Sequence, residues 1–510
     1  MDRKRIGENL VEKIDLIRYP IDPHIVTKVS EQVARKYTLV PIEVVEDKIK
    51  IAMIDIDNIV AINDVKVMTK MNVCPVQADS HDILSVINQV FSSSRAKHIA
   101  KEVEKQIQIE YPTRALELEA LEKIAEKENY LQLTQSIIEE GIAMGASDIH
   151  IEPLERQIKV RYRIDGRLQE RQFLRKEMLN AVITCIKIMA NLDIAEKRIP
   201  QDGRVTKALG KEEVDLRISI LPTLFGEKAM IRIIYRMGMK LTTQNLGFHP
   251  SDLSKFRRLL RYSYGLILIT GPTGSGKSTT LATMLRELNK PHSNIITVED
   301  PVETIIEGVN QVVVNNKAGL TFANILRSIL RQDPDVLMIG EIRDQETAKI
   351  AIRSAITGHL VLSTLHTNDA TSSIARLRDM EVEPFMVGTA VKGVIAQRLV
   401  RKICEHCKES YQVSKQEQQL YGIKEGTKVY RGKGCKICHG TGYKGRKAIH
   451  EICIVDNYLR DQISSGQITS EQIRQAAIKK GMRTLWQNVC EDVLLGVTTM
   501  EEMMKIAYES

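Results

Sequence analysis

LILITGPTGSGKSTTLATMLREL, residues 266–288, joins a short apolar run to a segment whose apolar residues recur at helical spacing. Leu266–Thr270 has the length of a buried strand, and the residues after Ser278 read as a helix. Between them stands the pattern GxxxxGKS, formed by Gly271, Gly276, Lys277 and Ser278. Glycines in such a loop let backbone N–H groups wrap phosphate oxygens at a helix N-terminus, where the helix dipole favours anions. Gly271, Pro272, Thr273, Gly274, Ser275, Gly276, Lys277, Ser278 and Thr279 are therefore expected to hold a nucleoside triphosphate. Lys277 would reach the β and γ phosphates, and Ser278 would bind a magnesium ion.

Two later apolar runs end in acids: IITVED, with Glu299 and Asp300, and VLMIGE, with Glu341. A P-loop enzyme needs a carboxylate at such a strand end to hold the metal or to orient and deprotonate the attacking water. The usual pattern places Asp at the end of the second run, yet Gly340 stands there and Glu341 follows. Glu341 is the candidate general base, with metal duty shared by Ser278, water and the acids of VEDPVE, Glu299 and Glu303 among them. A cap or a salt bridge is the structural alternative for each acid.

The chain has 510 residues, enough for three or four domains, with 43% apolar, 27% charged and 4% aromatic residues. A net charge of +8 suits a phosphate ligand, an acidic partner or an anionic surface equally well. The opening MDRKRIGENLVEKIDLIRYPID has no apolar core of signal-peptide length, and no run approaches the ~18 apolar residues of a membrane span. The reading is a cytoplasmic protein that reaches a membrane only through partners. Residues 1–92 look like a small α/β domain and 93–130 like a charged linker. A second α/β block spans 131–240, and the nucleotide core 241–400. In QIKVRYRIDGRL, Ile158, Val160, Tyr162 and Ile164 alternate with Lys159, Arg161 and Arg163, a strand with one buried and one basic face.

Cys404 and Cys407 (CEHC) and Cys435 and Cys438 (CKIC) form two CxxC pairs, a tetrahedral thiolate pattern with a long insert. Zinc in a structural module, residues 401–445, is the reading; a reduced tetrad or a redox pair is the alternative. Cys74, Cys185, Cys453 and Cys490 are scattered among apolar neighbours and read as free thiols. The last segment, 446–510, reads as helical, with Thr469 before Gln472 and Thr498 before Glu501 at capping-box spacing.

RQDPDVLMIGEIRD and TGHLVLSTLHTNDA carry the chain beyond a generic P-loop protein. With the loop they resemble the secretion ATPase superfamily, the hexameric motors of type II secretion and type IV pilus assembly, with four signatures in the family's order. Gly271–Ser278 matches its Walker A and Ile296–Glu303 its aspartate box. Leu330–Asp344 matches its atypical Walker B, Gly340-Glu341 included, and His359 and His366 match its histidine box. Both histidines are expected on the P-loop side, near the γ-phosphate. ASDIHIEP, RIDGRL, PQDGR and VDLRIS extend the resemblance to about residues 135–450. It implies that the second domain packs on the ATPase domain of a neighbouring subunit, with Arg204 and Arg217 neutralising phosphate; ordinary salt bridges are the alternative for both.

The implied fold is a multidomain α/β protein. A RecA-like P-loop ATPase domain follows a PAS-like α/β domain and a small N-terminal α/β domain, with a zinc-binding insert and a helical C-terminus. Retraction motors of pili lack the N-terminal domain and the CxxC pairs, so the resemblance points to the assembly side: a homohexamer that uses ATP, Mg²⁺ and Zn²⁺. Its expected partners are an inner-membrane platform protein and a membrane-associated docking protein, with indirect action on pilin or pseudopilin. Cyclic di-GMP binders of the family carry two adjacent RLGxxL repeats, whereas only RIGENL, Arg5–Leu10, occurs here, so that ligand is not expected. Three classes compete: the filament motor, a nucleic-acid motor and a non-hydrolysing nucleotide-dependent scaffold. A single tryptophan, Trp486, and few aromatics disfavour the second, which needs stacking platforms.

Overall fold

The computed structural model describes residues 14, 16, 19, 21–88, 90–91, 128–209, 212–235 and 242–509. The RIGENL motif and most of the expected linker lie outside them. The chain divides into two compact units, Met1–Tyr235 with 405–407 and 434–442, and the remainder.

The first unit contains two sheets. A three-stranded sheet is built from β1 (Leu39–Val45), β2 (Lys48–Met53) and β3 (Asn72–Gln77), with β2 at its centre. Side chains alternate across a strand, so Val40, Ile42 and Ala52 enter one apolar cluster and Leu39, Ile49, Ile51 and Met53 enter another on the opposite face. The second sheet has six antiparallel strands: β4 (Asp148–Pro153), β5 (Gln157–Ile164), β6 (Arg167–Arg175), β7 (Gln201–Leu209), β8 (Glu212–Thr223) and β9 (Gly226–Tyr235), in the order β6-β5-β4-β9-β8-β7. Its apolar face, with Ile149, Val160, Tyr162, Ile218 and Ile231, packs on the helices Glu128–Ala143 and Leu179–Met189. The predicted one-sided strand is β5: Ile158, Val160 and Tyr162 are buried, while Lys159, Arg161 and Arg163 take the polar face.

The second unit is organised by a seven-stranded sheet of β10 (Gly265–Thr270), β11 (Ile295–Glu299), β12 (Asn310–Val313), β13 (Val336–Ile339), β14 (Leu360–Leu365), β15 (Val391–Ile403) and β18 (Tyr443–Ile454), in the order β12-β11-β13-β14-β10-β15-β18. All neighbours are parallel except β15 and β18. Both faces are covered, by one cluster on Leu266, Leu268, Val298 and Ile339 and another on Ile267, Ile269, Met338 and Leu362. Apolar runs without alternation are the expected signature of strands buried on two sides. Each such side chain contributes roughly 1.5–3 kcal/mol by leaving water. Among the described residues no helix is long and apolar enough to cross a membrane.

Two features differ from the sequence reading. β18 runs through residues 445 and 446, so the helical C-terminal segment starts only at Asn457 and the strand before it closes the ATPase sheet. The Thr469–Gln472 capping box forms as expected. At the last helix, Met500–Glu509, the cap is instead Thr499, whose Oγ1 accepts the N–H of Glu502 at 3.4 Å; Thr498 Oγ1 donates to the carbonyl of Arg401 at 2.8 Å. Between β15 and β18, β16 (Lys408–Gln412) and β17 (Lys428–Gly432) form a two-stranded antiparallel sheet.

Candidate active site

Parallel strands in one sheet bring their C-terminal ends to one edge, which is where ligands bind in such sheets. Here β10 is followed by Gly271, β11 ends in Glu299, β13 leads through Gly340 to Glu341, and β14 leads to His366. Topology thus collects the loop, both acids and one histidine from well-separated parts of the sequence.

Gly276 caps the helix Lys277–Leu288 at φ +90°, and a Cβ there would lie 2.8 Å from Nε2 of Gln397. A side chain would strain the backbone and collide with the residue that braces the loop. Lys277 is 9% exposed, and its Nζ donates to the carbonyls of Gly271 (2.7 Å) and Pro272 (2.9 Å). Burial depresses its pKa to about 8, with Glu341 opposing the shift and Arg398 adding to it. Pro272, Thr273, Gly274, Ser278 and Thr279 are exposed, so this part of the loop and the helix start are open to a ligand.

The Glu341 carboxylate pairs with Arg343 through one oxygen, and the other lies 3.6 Å from Nε2 of His366. Burial lowers the His366 pKa and the charge of Lys277 lowers it further, against the nearby carboxylate of Glu341, which raises it. Glu299 Oε1 accepts hydrogen bonds from Thr297 Oγ1 (2.7 Å) and Gln311 Nε2 (2.9 Å), and burial raises its pKa. Glu303 is exposed. The glycine that replaces the usual acid has a packing reason. Gly340 donates to the carbonyl of Val298 (2.8 Å), and a Cβ there would lie 3.3 Å from that same oxygen and 3.4 Å from Cα of Glu299. A side chain here would need β11 to give by a few tenths of an ångström, so glycine suits this position and the carboxylate stands at the next one.

His359 does not join this group. It precedes β14, donates its N–H to the carbonyl of Ser354, and accepts the N–H of Gly265 on its own carbonyl, at the start of β10. Seven residue steps at ~3.3 Å each separate it from His366, placing it about 23 Å away at the opposite edge. The expectation that both histidines lie on the P-loop side is corrected: only His366 does.

Gln397 and Arg398, on β15, were not singled out in the sequence. Gln397 accepts from Thr280 Oγ1 (2.7 Å) and donates to the carbonyl of Ser275 (2.8 Å), tying the middle of the loop and the first turn of the helix after it to the sheet. Arg398, 3% exposed, donates to the carbonyl of Asn368 at 2.8 Å. The available signal was a Gln-Arg pair inside the apolar run VIAQRLV, since buried polar groups in a strand need specific partners.

In the first unit, Arg204 of β7 stands directly opposite Arg217 of β8, and Arg217 opposite Arg232 of β9. Arg232 is paired across β4 with Asp148, which it contacts at 2.9 Å. These residues share one face, so the two expected arginines are neighbours in a basic row.

The Sγ atoms of Cys404, Cys407, Cys435 and Cys438 lie within 4.8 Å of one another. Cys438 is 3.8 Å from Cys407 and 3.7 Å from Cys435. A tetrahedron with metal–sulfur bonds of ~2.3 Å has edges of about 3.8 Å, so the donor set fits a four-coordinate thiophilic ion. Burial opposes ionisation of Cys438, yet the N–H groups of Cys435 (3.1 Å) and Gly442 (3.2 Å) aimed at its sulfur bring its pKa down to about 7.

The doubly covered parallel sheet with its phosphate loop defines a RecA-like P-loop ATPase. The family model described as Type II/IV secretion system protein matches residues 123–505, and the chain belongs to that family. A second model, the MshEN domain, matches residues 10–97. The chain is 44% identical over 495 residues to the Type IV pilus assembly ATPase PilB of Thermus thermophilus, covering 95% of the chain and 55% of that protein, so it spans little more than half of that relative. It is 44% identical over 401 residues to the Type II secretion system ATPase E of Vibrio cholerae, covering 78% of the chain and 79% of that protein. The crystal structure of the pilus retraction motor PilT with bound ADP matches with a TM-score of 0.50 at 27% identity, over 72% of this chain and 95% of that one.

Proposed function

We propose that this chain is a homohexameric motor at the cytoplasmic face of the inner membrane, hydrolysing MgATP to drive assembly of a type IV pilus through a membrane platform protein. The observation that carries the filament reading is the extent of likeness: the Thermus pilus ATPase aligns with 95% of the chain. Production of a type II pseudopilus is the second reading, favoured by the equal identity of the Vibrio secretion ATPase over 78% of the chain.

Gly271–Thr279 cradle the triphosphate, and Lys277 moves from the carbonyls of Gly271 and Pro272 onto phosphate oxygens. Ser278, with water and the acid of Glu299 or Glu303, would hold Mg²⁺, which supplies charge neutralisation at the phosphates. Glu341 takes the proton of the attacking water. His366 beside it contacts the γ-phosphate, and Arg204 and Arg217 of a neighbouring subunit neutralise developing charge. His359 is left out of this shell. The division at 1–92, 93–130, 131–240, 241–400, 401–445 and 446–510 is kept as a functional one, with docking in the first segment and the trans arginines in the third.

Replacing the chromosomal gene with a Lys277→Ala form tests the pathway. Loss of surface filaments with normal export supports the pilus motor; intact filaments with exoprotein trapped inside the cell support the secretion motor. Hydrolysis persisting in purified Lys277→Ala protein would remove the site assignment.

The four cysteines are read as a structural zinc site. The purified chain should carry about one zinc per chain, and Cys435→Ser should lose it and lower the thermal midpoint by about 5–10 °C, since metal binding to such sites is folding energy. Unchanged melting with no zinc by elemental analysis would remove the metal reading.

A further inference from the structure

β18 carries an acid, Glu451, that is 1% exposed. One of its oxygens accepts the N–H of Ala370 at 3.1 Å, and the other accepts the N–H of Leu485 at 3.2 Å. These two donors belong to elements with different neighbours, and Glu451 bridges them.

Ala370 lies in the loop that leaves β14 at the phosphate edge. That loop starts with His366, beside Glu341. Its next residue, Thr367, is clipped to Thr270, the residue immediately before Gly271: the two hydroxyls share a hydrogen bond of 2.6 Å, and the Thr367 N–H donates to Thr270 Oγ1 at 2.9 Å. Arg398 holds the carbonyl of Asn368. Asp369 accepts the N–H groups of Thr371 (2.8 Å) and Ser372 (2.9 Å), which stiffens the turn into the helix Ser372–Asp379. Thr367, Asn368, Asp369 and Ala370 are thus each held by a hydrogen bond rather than left as slack chain.

On the other side, Leu485 is the first residue of the helix Leu485–Leu494. Its N–H is one of those a helix start leaves without an intrahelical acceptor, and a carboxylate there also meets the positive end of the dipole. The next residue is Trp486, the chain's single tryptophan, 36% exposed. Glu451, Asp369, Arg474, Leu485, Trp486 and Ala507 line a partly open cavity of about 280 Å³ at this junction. Burial raises the Glu451 pKa, opposed by the two N–H groups and the charge of Arg474.

We propose that Glu451 is a positioning residue that locks the His366–Thr371 loop to the C-terminal helices, so that nucleotide turnover at the phosphate edge is transmitted to the start of Leu485–Leu494 and to Trp486. This rests on the reading of Gly271–Ser278 as the phosphate site.

The test uses the full chain, with intrinsic Trp486 emission read without nucleotide, with MgADP and with MgATP, alongside steady-state ATPase kinetics. Wild type should hydrolyse ATP and change its emission between nucleotide states. Glu451→Gln keeps the shape but offers one acceptor oxygen instead of two. It should lower kcat about 3- to 30-fold with KM for MgATP within about twofold, and flatten the emission response. Thr270→Val removes the hydroxyl on which every hydrogen bond of the Thr270–Thr367 clip closes, with Glu451 intact, and should flatten the response too, so the proposal stays testable if Glu451→Gln folds poorly. A Glu451→Gln protein that melts earlier yet keeps the wild-type kcat and emission response would make Glu451 merely structural and overturn the proposal. Wild-type emission indifferent to nucleotide while ATP is hydrolysed would overturn it as well. A wild type with neither response nor hydrolysis would instead remove the phosphate-site reading beneath it.

Discussion

Glu341→Gln should lower kcat for ATP hydrolysis by about 10³-fold, within the 10²–10⁴ that a positioned general base contributes, while MgATP binding stays within about threefold. Glutamine keeps the volume and one acceptor oxygen but cannot take a proton at neutral pH. Stability should barely move. The change dissolves the ion pair with Arg343, whose side chain is 65% exposed, and exposed pairs are worth at most about 1 kcal/mol. A large loss of turnover at unchanged melting temperature is therefore the signature of chemistry rather than folding. Single-turnover phosphate release on nucleotide-loaded protein separates the chemical step from product release. Near-normal turnover would move the base elsewhere, and Glu299 is the next candidate, since burial already raises its pKa. Its hydrogen bonds from Thr297 and Gln311 turn it toward its own strand and its neighbour, which is why Glu341 is preferred.

The loop, Glu341 and His366 could be read from the sequence because each sits where a local pattern meets a strand end. His359 shows the limit of that logic. A histidine before a strand and a histidine after it look alike as motifs, but in a parallel sheet they occupy opposite edges, and only the direction of β14 beside β10 separates them. Gln397 and Arg398 were hidden for another reason. Gln397 braces Ser275 and Thr280 across 122 and 117 positions of sequence, a contact that exists only once β15 lies beside β10. The last helix cap was a matter of register. Thr498 and Thr499 each stand three residues before a glutamate, and tertiary pairing decided between them: Glu502 is held by the buried guanidinium of Arg401 at 2.8 Å, which sets Thr499 as the cap. Such degeneracies are local ties broken by distant partners.

The arginine row leads to the second large effect. Arg204 and Arg217 are directly opposed across β7 and β8, where Cβ atoms lie about 4.5–5.5 Å apart and like charges repel. Asp148 lies farther along the same row and is engaged by Arg232 at 2.9 Å and Arg163 at 3.5 Å, so it does not offset the Arg204–Arg217 pair. The melting temperature of each variant is read beside its turnover, so that lost folding is not mistaken for lost chemistry. If the pair instead meets the phosphates of a neighbouring subunit, Arg217→Gln should lower kcat by about 10³-fold, the lower end of what an arginine supplied in trans contributes. Arg217→Lys should rescue little, because an ammonium cannot match two phosphate oxygens with a planar fork.

Mixing the Arg217→Gln and Lys277→Ala proteins then decides the geometry. In a ring of randomly mixed subunits, about a quarter of the interfaces would join an intact loop to an intact arginine, so two inactive proteins should together recover measurable turnover. An arginine acting on its own subunit's phosphates would give no recovery at any ratio. Recovery that grows with total protein concentration would add that the ring forms by association in the tested range. A mixture as inactive as its parents, in a ring shown to exchange subunits, would return Arg217 to the bland role of a charge on a sheet.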